Sequence, residues 1–178
     1  MIMSSTRLLI LGVLHDETLN GYEIRRRLEL WGADQWANVA FGSIYHGLTK
    51  MSQEGLLEIV EKGRGGSTVY GITDIGRQEF QRLLAEAWWR VKPVIDPFQA
   101  ALTFMNHMPK EQLLSALGSR SAQLRSLLAM CEPAIEGKVQ YGAPRHITEC
   151  VRLNMARTRA ELDWIEDAIP RIEKDELP

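Results

Sequence analysis

The sequence predicts a mainly α protein in two parts, an N-terminal winged helix-turn-helix with a two-stranded wing and a C-terminal all-helical domain. Three observations carry this. Ile44, Leu48 and Met51 recur at gaps of four and three, a helical stripe that Gly55 closes as a left-handed cap. Two β-rich runs, Leu57–Lys62 and Ser67–Ile72, then flank Gly63-Arg64-Gly65-Gly66, a hairpin signature. Beyond Pro93 and Pro97 the apolar pattern is helical only, which places a boundary there and gives domains 1–92 and 93–178.

In chain order, residues 4–15 read as a first helix, apolar nearly all round through Leu8, Leu9, Ile10, Leu11, Val13 and Leu14, and so buried on several sides. Residues 15–18 form a turn. A second helix runs from Gly21 to Trp31. Asn20 and Glu23 form its capping box, and Tyr22, Ile24 and Leu28 point inward. Its Arg25-Arg26-Arg27 run suits phosphate contacts, and it equally suits a solvated face. Residues 32–40 read as a loop.

The third helix carries the reading head. Ser43, His46, Gly47 and Lys50 lie opposite its apolar stripe, a face of short polar groups and one cation that can press into a groove. Gly47 costs ~1 kcal/mol relative to alanine, a cost that a close approach of backbone to nucleic acid would explain. Lys62 and Arg64 sit at the hairpin tip, placed to lie along a sugar-phosphate strand or enter a minor groove.

Thr73 and Asp74 cap a fourth helix that reaches about Val91. After the proline-bounded joint come an apolar helix over Phe98–His107 and a longer one from Pro109. The latter carries Leu113, Leu117, Leu124, Leu128 and Cys131 and stops at Pro133. Residues 137–144 read as a loop. In the last helix Ile147, Val151, Met155, Thr158, Leu162, Ile165 and Ile169 repeat with coiled-coil-like spacing, and Pro170 ends or kinks it.

Composition narrows the function classes. The 178 residues carry a formal charge of −2, and residues 1–90 hold 10 Lys and Arg against 11 Asp and Glu. Affinity for nucleic acid must therefore come from local placement of charge and from doubling in a dimer. Two cysteines make no disulfide framework, and the absence of a long apolar run or leader pattern points to the cytoplasm and away from a membrane. Four histidines show no metal-ligand spacing, and no acid-base pair or nucleophile constellation stands out. Neither an enzyme nor a cofactor is expected. Trp88, Trp89, His107 and Trp164 suit either packing or an aromatic effector pocket between the domains.

Taken together, Asn20-Gly21-Tyr22-Glu23, Gly42-Ser43-Ile44-Tyr45, Glu54-Gly55-Leu56-Leu57 and Tyr70-Gly71-Ile72-Thr73-Asp74-Ile75-Gly76 resemble the PadR family of bacterial transcriptional regulators over residues 7–85. The C-terminal part, with Arg157 through Trp164, resembles the longer domain of the phenolic-acid-regulator branch. The resemblance implies a homodimer bound to double-stranded operator DNA, usually a repressor, paired through its C-terminal helices and released by a small aromatic effector. By position it makes Ser43 and Tyr45 recognition-helix residues and Lys50 a basic contact. The family usually has proline at Phe41 and often at His46, so His46 offers a contact that proline cannot. The other expectation is a winged-helix protein-interaction module without DNA binding, which the neutral first half favours.

Overall fold

The computed structural model describes residues 5–37, 39–63 and 67–177, with the backbone alone at Gln35 and Phe41. The chain divides into two compact units, Met1–Lys92 and Pro93–Pro178.

The first unit is a winged helix-turn-helix. Helix α1 (Ser5–Val13) buries Ile10, Leu11 and Val13. A two-residue strand β1 (Leu19–Asn20) leads into α2 (Gly21–Trp31), followed by a short α3 (Ala33–Trp36) and by α4 (Phe41–Gln53). Strands β2 (Leu57–Lys62) and β3 (Thr68–Ile72) form the wing, and α5 (Asp74–Trp89) completes the unit. The sheet is antiparallel in the order β1-β3-β2, with Leu19 and Ile59 on either side of Tyr70. A bulge falls between Ile59 and Glu61. Ile10, Leu11, Leu14, Ile24, Leu28, Ile44, Leu48 and Met51 make one core of fully buried side chains. Each contributes roughly 1.5–3 kcal/mol by leaving water.

Local chemistry explains the element ends. The Asn20 carboxamide oxygen accepts from the Tyr22 and Glu23 amides at 2.9 and 3.0 Å, while the Glu23 carboxylate accepts from the Asn20 amide at 2.9 Å. This is the expected capping box. Gly55 has φ +73°, and the Gly55 and Leu56 amides donate back to the Ser52 and Met51 carbonyls. That pair of bonds is a Schellman stop. The Thr73 hydroxyl accepts from the Gly76 amide at the start of α5.

Several expectations are corrected. Tyr22 does not point inward: it is 60% exposed, because the core takes Gly21, Ile24 and Leu28 from that helix. The segment after α2 is not all loop. Gly32, at φ 75°, ends α2, and α3 follows, held by the Trp36 indole N–H donating to the Trp31 carbonyl at 3.0 Å. Strand β1 was not expected, since two residues carry no periodicity and gain their identity only by pairing with β3.

The second unit is helical throughout its described residues, apart from the turns between helices. Helix α6 (Pro97–Thr103) starts on the Asp96 carboxylate, which accepts from the Phe98 amide at 2.9 Å. It stops at Phe104, and a 3-10 turn over Met105–His107 replaces the single helix expected there. Helix α7 (Lys110–Gln140) runs on through Pro133, and α8 (Thr148–Glu173), entered through a 3-10 turn over Arg145–Ile147, runs on through Pro170. A proline removes one amide donor and costs roughly 3 kcal/mol, and it interrupts a helix only where neighbouring bonds and packing do not offset that. In α8, Ala168 and Ile172 are buried on both sides of Pro170. The two long helices return alongside each other, with Lys110 Nζ donating to the Glu173 carbonyl at 2.9 Å. Leu113, Leu117 and Leu124 of α7 meet Leu162, Ile165 and Ile172 of α8. The C-terminal half of the predicted seam is thus filled by the chain's own α7, whereas Val151, Met155 and Thr158 stay half-buried.

Candidate nucleic-acid interface

Helix α4 packs its inner stripe on α1 and α2, which leaves Tyr45, His46, Thr49, Lys50 and Gln53 exposed. Tyr45 is 48% exposed, and its ring lies against the start of α2: a Cβ on Gly21 would stand 2.7 Å from Tyr45 Cε1. Ser43 is half-buried, and its hydroxyl donates to the Ala40 carbonyl at 2.6 Å, so what remains free on it is acceptor capacity. His46 and Lys50 face outward, and neither makes an ion pair among the described residues.

Gly47 is placed differently from expectation. A Cβ there would stand 3.1 Å from Ile10 Cδ1, with Met51 Cε and Thr6 Cγ2 at 3.8 Å. The close approach that the glycine permits is therefore between α4 and α1, not between α4 and an outside surface.

Arg25 lies near Tyr22 and Tyr45 and is engaged by Glu29, which accepts from its Nε at 2.6 Å and raises its pKa above the ordinary arginine range. Arg27 pairs with Glu17. Arg26 holds its guanidinium 6.0 Å from the centre of the Tyr22 ring. Composition gave no weight to this exposed Tyr22–Arg26 pair, yet its spacing of four on a helix is the signal that could have found it. Lys62 is exposed at the end of β2. It neighbours Glu61 in the strand, so the two side chains project to opposite faces. Arg64 lies outside the described residues.

A shallow depression of about 350 Å³ joins these elements. It is lined by Asn20, Gly21 and Tyr22 from the start of α2, Tyr45 from α4, and Ser67, Thr68 and Tyr70 from the base of the wing. The geometry thus gathers Tyr45, Arg25 and the wing base on one surface. Glu54 and Glu79 are engaged with Arg7, and Glu29 with Arg25. This local pairing leaves Lys50 outward in a domain whose total charge is near zero.

Of the four expected effector residues, Trp88 and Trp89 belong to the first unit and His107 and Trp164 to the second. Trp88 and Trp89, 81% and 87% exposed at the end of α5, border a groove with Gln81, Leu84 and Ala85. Trp164 belongs to the second unit, where its ring meets Phe98 edge-on at 5.9 Å and borders a separate cavity. The ring of His107 tilts against Phe104 at 6.2 Å, and His107 lines neither space. Among the described residues there is no cluster of three or more His, Cys, Asp or Glu fit to hold a metal ion, and no helix is long and apolar enough to cross a membrane.

Comparison with known proteins matches residues 10–82 to the family described as "Transcriptional regulator PadR-like family". The chain is similar in fold to Bacillus subtilis PadR crystallised with operator DNA, at 21% identity and TM-score 0.75, covering 93% of this chain and 98% of that one. The same Bacillus subtilis protein in complex with p-coumaric acid aligns at 20% identity and TM-score 0.76, covering 94% and 98%. The Vibrio cholerae virulence activator AphA aligns at 22% identity and TM-score 0.74, covering 96% and 99%. No curated protein sequence matches the chain. Residues 10–82 are a domain of the PadR-like transcriptional regulator family, set in a chain with the winged-helix architecture of these structures.

Proposed function

We propose that the chain is a sequence-specific, DNA-binding transcriptional regulator of the cytoplasm, a homodimeric repressor released by a small aromatic effector. The observation that carries the DNA-binding part is the surface on which α4 turns Tyr45, His46 and Lys50 outward beside the wing base. Each α4 enters a major groove, Ser43, Tyr45 and His46 meet base edges, and Lys50, Arg25, Lys62 and Arg64 meet phosphates. Residues 1–92 bind DNA, and residues 93–178 pair the subunits and hold the effector. The relative crystallised with operator DNA and with p-coumaric acid shares this fold, which supports the DNA-binding and effector parts of the reading. The relative named as a virulence activator marks repression as the part most in need of test.

Pairing is supported by apolar side chains left in water on the second unit, among them Leu127 and Met130 of α7 and Leu153 of α8. A second copy would cover them and double a DNA surface that is weakly charged in one copy. The direct test is an electrophoretic shift with duplex DNA from upstream of the chain's own coding sequence, with and without unlabelled specific competitor. A competitor-sensitive shift is expected. Failure to shift at low salt would favour the other reading, a winged-helix interaction module without DNA binding, which rests on 10 basic against 11 acidic residues in the first 90.

A further inference from the structure

The inner stripe of α4 is apolar, and apolar attraction is non-directional: it holds a helix down without fixing its angle. Two contacts with α1 supply that angle. The first is steric: a Cβ on Gly47 would stand 3.1 Å from Ile10 Cδ1. The second is ionic: the Arg7 guanidinium donates to the carboxylate of Glu54, the residue that caps the C-terminal end of α4. Arg7 and Ile10 are three residues apart and share a face of α1, while Gly47 and Glu54 are seven apart and share a face of α4. The two contacts are thus separated by two turns, about 10 Å along α4.

Arg7 is itself held from a second side. Its Nη1 stands 3.7 Å from Glu79 of α5, and Arg82 binds both oxygens of that carboxylate. The planar guanidinium therefore forks between α4 and α5. Engaged by two carboxylates, with its side chain 26% exposed, it is not placed to meet phosphate. A pair this close to solvent adds little to stability, so what it supplies is orientation. Thr49, Lys50 and Gln53, exposed on the last turns of α4, lie between Gly47 and Glu54. Turning α4 by about 10° about Gly47 would carry Gln53 by roughly 1.5 Å, more than a hydrogen bond tolerates.

We infer that Arg7 is a positioning residue for the reading helix: by tying Glu54 to α1 and α5 it sets the tilt of α4 about Gly47, and so sharpens discrimination between duplexes without touching DNA. This rests on the DNA-binding reading above and adds to it a residue that lies off the proposed DNA surface. The charge-assisted hydrogen bond is directional where the apolar stripe is not, so its loss loosens the angle of α4 and leaves the core in place.

Two labelled duplexes test it by fluorescence anisotropy with the full chain, one from upstream of the chain's own coding sequence and one scrambled from it. The double variant Arg7→Met, Glu54→Gln removes the pair and leaves the net charge unchanged. It should bind the upstream duplex about tenfold more weakly, the loss of about one base contact, and bind the scrambled duplex as wild type does, with the same salt slope. Its midpoint in urea should stay at the wild-type value. Glu54→Gln alone should also weaken the upstream duplex. Unchanged affinity of the double variant for the upstream duplex overturns the inference. So does equal weakening of both duplexes with a lowered urea midpoint, which is a structural role only. Tighter binding by Glu54→Gln overturns it too, since Glu54 would then act only as a charge repelled by phosphate. Hydrogen exchange without DNA separates this claim from the DNA-binding reading. The double variant should speed exchange of the amides of residues 50–54 about threefold and leave those of α2 unchanged. Faster exchange there, with no DNA bound by the wild type, keeps the hold of Arg7 on α4 and sinks the regulator. Wild-type exchange rates there overturn that hold whatever the DNA result.

Discussion

Gly47 of α4 faces Ile10 of α1 so closely that a methyl group on it would stand 3.1 Å from Ile10 Cδ1. Ile10 is fully buried, so it can give only slightly. In Gly47→Ala the helix-propensity gain of ~1 kcal/mol works against crowding of similar size, and stability should change by less than about 1 kcal/mol. Gly47→Leu has no such balance and should lose roughly 1–3 kcal/mol in urea unfolding. A leucine variant of wild-type stability would place Gly47 outside the α1–α4 contact.

Gly76 carries a tighter constraint. A Cβ there would meet the Leu56 carbonyl oxygen at 2.1 Å and Ile72 Cγ1 at 2.8 Å. The same carbonyl accepts from the Thr73 amide at 3.1 Å, so main chain on both sides holds this junction of α4, the wing and α5. Gly76→Ala should therefore destabilise by about 3 kcal/mol or more, read as a lowered Tm. A Tm within a degree or two of wild type would show that the junction yields.

These two glycines mark what was legible in the sequence and what was not. Asn20 with Glu23, Gly55 and Thr73 act through bonds to their own neighbours, so their spacing alone placed the ends of α2, α4 and α5. The outward direction of His46 and Lys50 followed from the period of Ile44, Leu48 and Met51. Gly47 sits at the margin of that period, where only the position of α1 decides which surface it meets. Pro133 does not stop α7, which runs on to Gln140, and Pro170, expected to end or kink α8, lies inside it. Tyr22 looked apolar enough for the core, but the core at that turn is closed by Gly21 against Tyr45 and Leu48.

Acid sensitivity should arise at Glu79. Arg82 donates to both its carboxylate oxygens, at 2.7 and 2.9 Å, and Arg7 stands 3.7 Å away. The Arg82 hydrogen bonds first, and the charges of Arg82 and Arg7 after them, hold the carboxyl below the ordinary glutamate range against an opposing effect of burial. A carboxyl with a depressed folded-state pKa stabilises the fold above its unfolded pKa and loses that contribution as pH falls through the folded value. The stability difference between wild type and Glu79→Gln should thus be largest near neutrality and shrink from about pH 5 downward. A difference that is flat with pH would assign the glutamate a packing role only.

The proposed DNA surface makes a graded prediction about salt. Each phosphate neutralised adds about 0.9 to the slope of log affinity against log salt, and a homodimer presents every contact twice. Lys50, exposed and without an ion pair among the described residues, should therefore cost about two slope units per dimer when replaced by alanine. Lys62→Ala should do the same if the wing lies along the backbone. Arg25 is held by Glu29 and so neutralises less phosphate than Lys50 does, and Arg25→Ala should change the slope by less than Lys50→Ala. Surface substitutions of this kind should move stability by no more than about 0.5 kcal/mol, so a binding defect can be separated from a folding defect by urea titration of the same samples. A Lys50→Ala slope equal to that of wild type, measured by fluorescence anisotropy over a range of salt, would remove α4 from the phosphate contacts. An Arg25→Ala effect larger than that of Lys50→Ala would mean that DNA takes Arg25 away from Glu29.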